Sequence, residues 1–391
     1  MRLLVGTAVL FAASSASARP AGTVSAQASD DSDPQVSAAG SAGGGVQDGA
    51  VYTGLDLRFD LAWKTVRLGL GARGVLLDGQ MRSGDWDRPA DAVTILRTLE
   101  AHAGPAAIAA GALAPAVLGR IADGYRVALD DRAHTGARGA IATPAFEMTL
   151  EIDDVVNPAL VGGAISWMVT APWGIRAATA VDPSVAGGRV ATELGGVHRW
   201  ENTGWRVETG ASVVAEEAPQ VAGTPRSVDI SGVAYSGAAL DKWGARWTAQ
   251  LDVRAGGGTL GAAFGPLYRV ERQVRADMTT PLDDVRAGVA GGIALGVQRD
   301  GNWLALGART RPGLGTLGTI AAGAPMNRWV QAAAWIAASP HASAGAAAMR
   351  VVWTKQLFSS VELARMYTRD EMSDDLVAAW SATAWFGASM Q

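Results

Sequence analysis

The sequence predicts an all-β protein, a closed antiparallel barrel of about 18 strands (range roughly 16–20) that spans a membrane. Three observations point there. Apolar and polar residues alternate with period 2 in segment after segment from Val51 onward, which on an extended chain makes one oily and one polar face. The oily faces carry no charge over five or six positions, while the polar faces hold charges of both signs. Tryptophan falls beside turns and strand ends rather than in mid-strand.

Taken in order, the chain begins MRLLVGTAVLFAASSASARP. Arg2 precedes the apolar run Leu3 to Ala13, and Ala16-Ser17-Ala18 is a small-residue cleavage site. Residues 1–18 therefore read as a secretory signal peptide. Residues 19–50 hold Ala, Ser, Gly, Pro and Asp with scarcely a large side chain. Such a stretch cannot bury enough surface to offset its ordering entropy, so it reads as a disordered leader. The barrel is assigned to residues 51–391.

In GLDLRFDLAW, Leu55, Leu57, Phe59, Leu61 and Trp63 oppose Asp56, Arg58 and Asp60. VRLGLGARG sets Val66, Leu68 and Leu70 against Arg67 and Arg73, and FEMTLEID sets Phe146, Met148 and Leu150 against Glu147 and Glu151. WRVETGASV places Trp205, Val207 and Val213 opposite Arg206 and Glu208. In WGARWTAQLDVRA, Trp243, Trp247, Leu251 and Val253 alternate with Arg246, Asp252 and Arg254. Turn signals separate these runs, among them Glu201-Asn202-Thr203-Gly204, Asp241-Lys242 and Asp300-Gly301-Asn302. Residues 104–118 are Ala-rich, but Pro105, Gly111 and Pro115 argue against a long helix, so two weak strands are expected there.

A soluble sandwich also alternates, so the membrane assignment needs more. Strand signals persist for about 340 residues, more than one sandwich core uses. No segment reaches ~18 consecutive apolar residues, which excludes spanning helices. Closing the sheet satisfies every backbone group in hydrocarbon. Trp63, Trp173, Trp200, Trp205, Trp243, Trp303, Trp329 and Trp353 are expected at the membrane–water interface, ring in the acyl boundary and N–H toward water.

On this pattern, and on no motif, the chain from about 51 to 391 resembles bacterial outer-membrane β-barrels of the porin-like class. The resemblance implies lipid as surroundings, periplasmic termini and an outer-membrane location in a Gram-negative bacterium. Two features depart from it. Such barrels usually end on an aromatic residue, whereas this one ends Trp385-Phe386-Gly387-Ala388-Ser389-Met390-Gln391. With periplasmic termini, the strand count also puts tight turns outside and long links inside, the reverse of the class.

The charge balance bounds function. Without Arg2, 32 bases face 37 acids, a net −5, which argues against nucleic acid as partner. There is no Cys, hence no disulfide and no thiolate metal site. Of four His, neither His134 nor His198 has a Ser or Asp at catalytic spacing, and G-x-S-x-G is absent. No enzyme, cofactor or metal site is expected. Asp130-Asp131, Asp153-Asp154, Asp283-Asp284 and Asp374-Asp375 read as solvated loop tips.

Arg67, Arg73, Glu147, Glu151, Arg206, Glu208, Arg246, Asp252 and Arg254 are the expected lumen-lining residues. A barrel of ~16–18 strands leaves an aqueous channel, so the expected function is a water-filled pore for hydrophilic solutes. The alternative is export of a polysaccharide or other polymer with a periplasmic protein partner; a homo-oligomer suits either. An outer-membrane hydrolase or a purely structural barrel fits less of the sequence.

Overall fold

The computed structural model describes residues 34–82, 86, 89–113, 116–125, 134–170, 172–184, 189–217, 228–258, 264–273, 280, 282, 287–325, 329–369 and 376–390. The expected signal peptide lies outside these residues.

Twenty antiparallel strands close into a barrel, two more than the central expectation and at the top of its range. The first arc is β1 (Gln35–Gln47), β2 (Ala50–Trp63) and β3 (Val66–Leu77), with the two-residue β4 (Gln80–Met81) on the end of β3. After a 3-10 turn at Pro89–Ile95 come β5 (Leu96–Ala103) and β6 (Ala106–Gly111). Two short strands, β7 (Ala116–Leu118) and β8 (Ala122–Tyr125), leave the wall and pair only with each other. The wall resumes with β9 (Gly136–Ala142), β10 (Phe146–Ile152), β11 (Val161–Thr170) and β12 (Trp173–Asp182).

Longer strands follow: β13 (Arg189–Asn202), β14 (Trp205–Glu217), β15 (Val228–Lys242) and β16 (Ala245–Gly256). Then come α1 (Tyr268–Glu271), a single helical turn, and β17 (Gly288–Arg299) and β18 (Asn302–Arg311). The last arc is β19 (Gly315–Pro325), β20 (Val330–Ala338), β21 (Ser343–Val352), β22 (Leu357–Arg369) and β23 (Leu376–Met390). β23 pairs with β1, so the sheet has no free edge.

β1 corrects the sequence reading, because residues 35–47 were assigned to a disordered leader. Its side chains are almost all Ala, Gly and Ser, so neither face stands out in the composition. The strand is held by pairing on both sides instead, Gly45 opposite Tyr52 on one flank and Thr383 on the other. The 104–118 stretch also divides: 106–111 joins the wall as β6, while 116–118 becomes part of the inner pair β7–β8. β23 runs four residues past Phe386, ending at Met390, so the aromatic pair sits inside an overlong last strand.

Adding β1 reverses the end at which every later connection lies. The chain enters β1 at the end where β23 stops, and the links 64–65, 104–105, 143–145, 171–172, 203–204, 243–244 and 300–301 all fall at that end. The strand ends joined by the long connections, β3 to β5, β6 to β9, β14 to β15 and β16 to β17, lie at the other. The expected inversion of short and long connections is therefore overturned, and the arrangement matches the usual one of short periplasmic turns and long outer loops. Several tight turns take positive φ at both central residues, as at Asp48-Gly49, Trp243-Gly244 and Asp300-Gly301, which suits the twist of paired strands. Trp243, expected to open a strand, is thus a turn residue.

Most large apolar side chains of the wall point away from the barrel axis. Leu57, Leu194, Leu251, Val289 and Ile336 are each about half exposed or more, while their chain neighbours Glu193 and Asp252 are buried. The Trp belt is one-sided. Trp63, Trp173, Trp200, Trp205, Trp243, Trp329 and Trp353 are all exposed at the end that carries the termini, joined by Trp167 and Trp247. Trp303 is a correction. It shares the inward parity of Arg309 and Arg311 in β18, and is partly buried against the inner cluster that includes Trp335. At the opposite end the outer face carries Trp380.

Candidate functional site

The inward face of the wall, together with what is folded against it, forms the site. Alternation sends Glu147, Arg206, Glu208 and Arg246 into a cavity of about 400 Å³, which Arg120, Thr149, Arg176 and Gln250 also border. Glu208 is the hub. Its two oxygens accept hydrogen bonds from Arg176 (3.0 Å) and Arg199 (3.0 Å), and Arg206 lies 3.7 Å away. Arg176, Arg199 and Arg206 come from three neighbouring strands, β12, β13 and β14: Arg199 lies directly opposite Glu208, Arg206 opposite Glu201 two residues along, and Arg176 opposite Gly195, from where it reaches across β13.

The remaining expected residues sit elsewhere around the same inner face. Arg67 is 3.8 Å from Glu100 on β5. Glu151 accepts a hydrogen bond from Arg138 Nε at 2.8 Å. Asp252 accepts one from Arg254 Nε at 2.7 Å and another from Arg309 Nη2 at 3.1 Å. Arg73 lies apart from these, bonded to the Tyr52 hydroxyl with its guanidinium 4.8 Å from the Trp385 ring centre.

Arg138, Arg176, Arg199 and Arg309 are inward cations that sequence reading missed. In the WGIRAATAVD run of β12 the only large apolar outward residues are Trp173, Ile175 and Val181, too few to show a period. The signal that finds Arg176 is register: it lies opposite Ser166 on β11, which in turn lies opposite the inward Glu147 of β10. The opposite part of the wall is different in kind. Inward positions of β19 and β20 carry no charge and include Leu317, Ala321, Trp335 and Ala337, while β21 adds Ala344, Ala346 and the buried Arg350. The ionic lining of the bore is therefore interrupted over β19 and β20.

Two segments narrow the bore at the long-loop end. The β7–β8 pair meets the segment 264–273, and Phe264 N–H donates to the Ile121 carbonyl at 2.9 Å. Leu118, Ile121, Tyr125, Phe264 and Tyr268 then pack on the small inward residues Ala178, Ala180 and Ala191 of β12 and β13. Small wall residues leave the room that the inserted aromatics fill, as close packing of an interior requires.

Polar clasps fix the insert to separate parts of the wall. Glu193 accepts the Arg120 N–H at 2.5 Å and the Ser212 hydroxyl at 2.7 Å. Arg254 Nη1 donates to the Arg120 carbonyl at 3.3 Å, and the Arg120 guanidinium stacks 3.7 Å from the Tyr235 ring centre. On α1, Tyr268 OH donates to Asp182 at 2.8 Å, while Glu271 receives two bonds from Arg311 at 2.8 and 2.7 Å. Bidentate guanidinium–carboxylate pairs fix orientation as well as distance.

A further clasp corrects one expectation. Asp153-Asp154 are not a solvated loop tip: both are buried, and so is His134 beside them. His134 Nδ1 lies 2.7 Å from Asp154, and its Nε2 lies 3.5 Å from Arg269 of α1. Asp153 accepts the backbone N–H groups of Asp154, Ala159 and Leu160. The other paired acids lie outside the described residues. Burial opposes the charge on Asp154, but the hydrogen bond and charge of His134 outweigh it and hold the carboxyl below its ordinary value. A lowered carboxyl stabilises the fold fully above the unfolded value and loses that stabilisation as pH falls through the folded one. Exchange of the Val156 amide, which donates to Asp154 at 3.0 Å, is therefore expected to stay slow at neutral pH and to speed up only on acidification below the ordinary carboxylate range.

The Asp252 triad carries a larger energetic consequence. The Arg254 side chain is fully buried and Asp252 nearly so. Taking away one member of a buried ionic group costs about 3–5 kcal/mol, because the charges left behind stay desolvated. Asp252→Ala removes the carboxylate that Arg254 and Arg309 share. The variant is expected to unfold from vesicles at distinctly lower urea, with Asp252→Asn losing less because it keeps an acceptor.

No family model matches the chain, and no curated protein matches it. Among solved structures, it is similar to OccK3 of Pseudomonas aeruginosa at 11% identity, with 92% of this chain and 96% of that one covered and a TM-score of 0.38. OccK5 of the same organism gives 10% identity, coverage of 92% and 99%, and a TM-score of 0.37. OccAB2 of Acinetobacter baumannii gives 8% identity, coverage of 92% and 98%, and a TM-score of 0.37.

Proposed function

We propose that the protein is an outer-membrane channel that passes small hydrophilic solutes through the bore of its barrel. The observation that supports this reading most is the orientation of the wall. Apolar side chains face outward around the closed sheet, and the inner face carries the Glu208–Arg176–Arg199 cluster beside a cavity of about 400 Å³. A soluble barrel would show the reverse, a dry interior and an ionic exterior. Termini and short turns at one end favour a periplasmic position for that end.

Elaborate links on the periplasmic side, as the sequence alone placed them, would suit the export alternative by offering a surface to a periplasmic partner. Those links now lie at the end away from the termini, so that support is gone. The inserted segments 116–125 and 264–273 favour a narrowed, selective bore over a wide one.

Purified protein added to planar bilayers is expected to give stepwise conductance. Inserted protein that never conducts at any voltage would leave a sealed barrel and end this reading. Glu208→Gln removes the one carboxylate that Arg176, Arg199 and Arg206 surround. A unit charge ~10 Å from a passing ion in water is worth about 0.4 kcal/mol, roughly a two-fold change in the ion's local preference. The reversal potential across a KCl gradient is expected to move toward anion selectivity by that order.

A further inference from the structure

The outward faces of the described strands are almost free of charge, and Arg365 stands out among them. It shares the outward parity of Val361 and Leu363 on β22, four residues inside the strand end, and lies directly opposite Trp380. Its Nη1 donates to the Ser343 carbonyl, and its guanidinium carbon is 5.9 Å from the Trp380 ring centre. Among the described residues it has no carboxylate partner. A cation on a lipid-facing surface is costly unless its head reaches an anion or water, so this position calls for an anion at the membrane boundary.

The same face carries an apolar groove of about 410 Å³. Register aligns Ala308, Gly318 and Ala338 in one row across β18, β19 and β20. Leu306, Ile320 and Ile336 form the next row. The small residues make a floor and the branched ones a wall. A Cβ on Gly318 would meet nothing within 4 Å, so the floor there is open. The wall row continues from Ile336 through Gly345 to Arg365 and Trp380. Two strand spacings separate Ile336 from Arg365, ~10 Å, within the length of one lipid molecule.

We propose that this face binds one anionic lipid, its phosphate on the Arg365 guanidinium beside Trp380 and an acyl chain in the groove over Gly318. The proposal rests on the barrel lying in a bilayer. Charge complementarity selects the occupant. Guanidinium recognises phosphate by charge-assisted hydrogen bonds, and Trp380 supplies the amphipathic ring that sits at headgroup level. A second copy of the chain would bring the same bare cation, and the described outward strand faces offer no carboxylate away from their ends to pair with it.

The test uses the full chain in phosphatidylcholine vesicles, with a trace of spin-labelled phosphatidylglycerol or of phosphatidylcholine bearing the same labelled chain. Wild-type protein is expected to immobilise several-fold more of the anionic label. Arg365→Gln is expected to bring the anionic label down to the zwitterionic level, while Arg365→Lys keeps most of the preference. Gly318→Leu, which fills the groove floor, is expected to lower the immobilised fraction of both labels. Equal binding of the two labels by wild type, or a preference that survives Arg365→Gln, overturns the proposal. So does a Gly318→Leu variant that changes oligomeric state and leaves both labels bound, because a second copy then occupies the groove. Channel conductance of Arg365→Gln is read in parallel: unchanged steps with no lipid preference in wild type overturn the lipid site alone, whereas protein that never enters vesicles overturns both readings.

Discussion

Gly45→Val is expected to prevent the barrel from closing. Gly45 sits in β1 opposite Thr383 of β23, at the seam between the first and last strands. A Cβ built on it would lie 1.9 Å from the Ala382 carbonyl oxygen and 2.8 Å from the Thr383 Cα. Both neighbours are backbone, so no side chain can swing aside. Either β23 shifts or β1 detaches, and a detached seam exposes two strand edges whose N–H and C=O groups cost several kcal/mol each in hydrocarbon. Migration on a denaturing gel without boiling checks it: wild type runs as a compact species, and Gly45→Val should run unfolded. Gly40→Ala in the same strand is the control, since its Cβ would only touch Leu57 at 3.4 Å. A compact Gly45→Val would mean that the seam does not hold the barrel shut.

The seam also shows where sequence reading reached its limit. Period 2 was legible wherever large apolar residues opposed charged ones, as in β2 with Leu57 against Arg58 and in β16 with Leu251 against Asp252. β1 has Val36, Ala38, Gly40, Ala42, Gly44 and Val46 outside against Ser37, Ala39, Ser41, Gly43 and Gly45 inside, and such small side chains leave no contrast. Its partners place it, not its own composition. Because alternate connections lie at opposite ends, losing that one strand exchanged the assigned ends of all later links.

The bore's contents were hidden for a related reason. A period reports which side of a strand is oily, but not which loop folds back inside. Asp153 and Asp154 looked like exposed loop chemistry because nothing in the sequence announced that Arg269, more than a hundred positions away, would face His134 beside them. Trp303 was misplaced by the same blindness. A tryptophan beside a turn faces lipid or lumen according to its parity, and Trp303 has the parity of Arg309 and Arg311, not of Leu304 and Leu306. The gap in the charged lining over β19 and β20 was likewise a property of strand order, invisible to segments read singly.

The segment carried by α1 is expected to open when Tyr268 is truncated. Its ring is buried against Phe264 at 4.8 Å and Tyr125 at 6.2 Å between centres, and its hydroxyl donates to Asp182. Burial holds the phenol well above its ordinary value, so it remains a donor throughout the working pH range and this contact itself brings no pH gating. Removing a buried aromatic ring costs about 3–5 kcal/mol. The wall does not depend on it, because each wall strand keeps its two neighbours. The loss therefore falls on the local equilibrium between docked and released segment, in the way sub-global opening draws on regions of low stability. Tyr268→Ala should give larger single-channel conductance and more frequent transitions between levels, with the folded gel mobility unchanged. Adding Glu271→Ala breaks the bidentate pair to Arg311 and the 3.0 Å bond from Ser339, and should extend the effect. Unchanged conductance in the double variant would show that the narrowest point lies elsewhere, at the Glu208 cluster deeper in the bore.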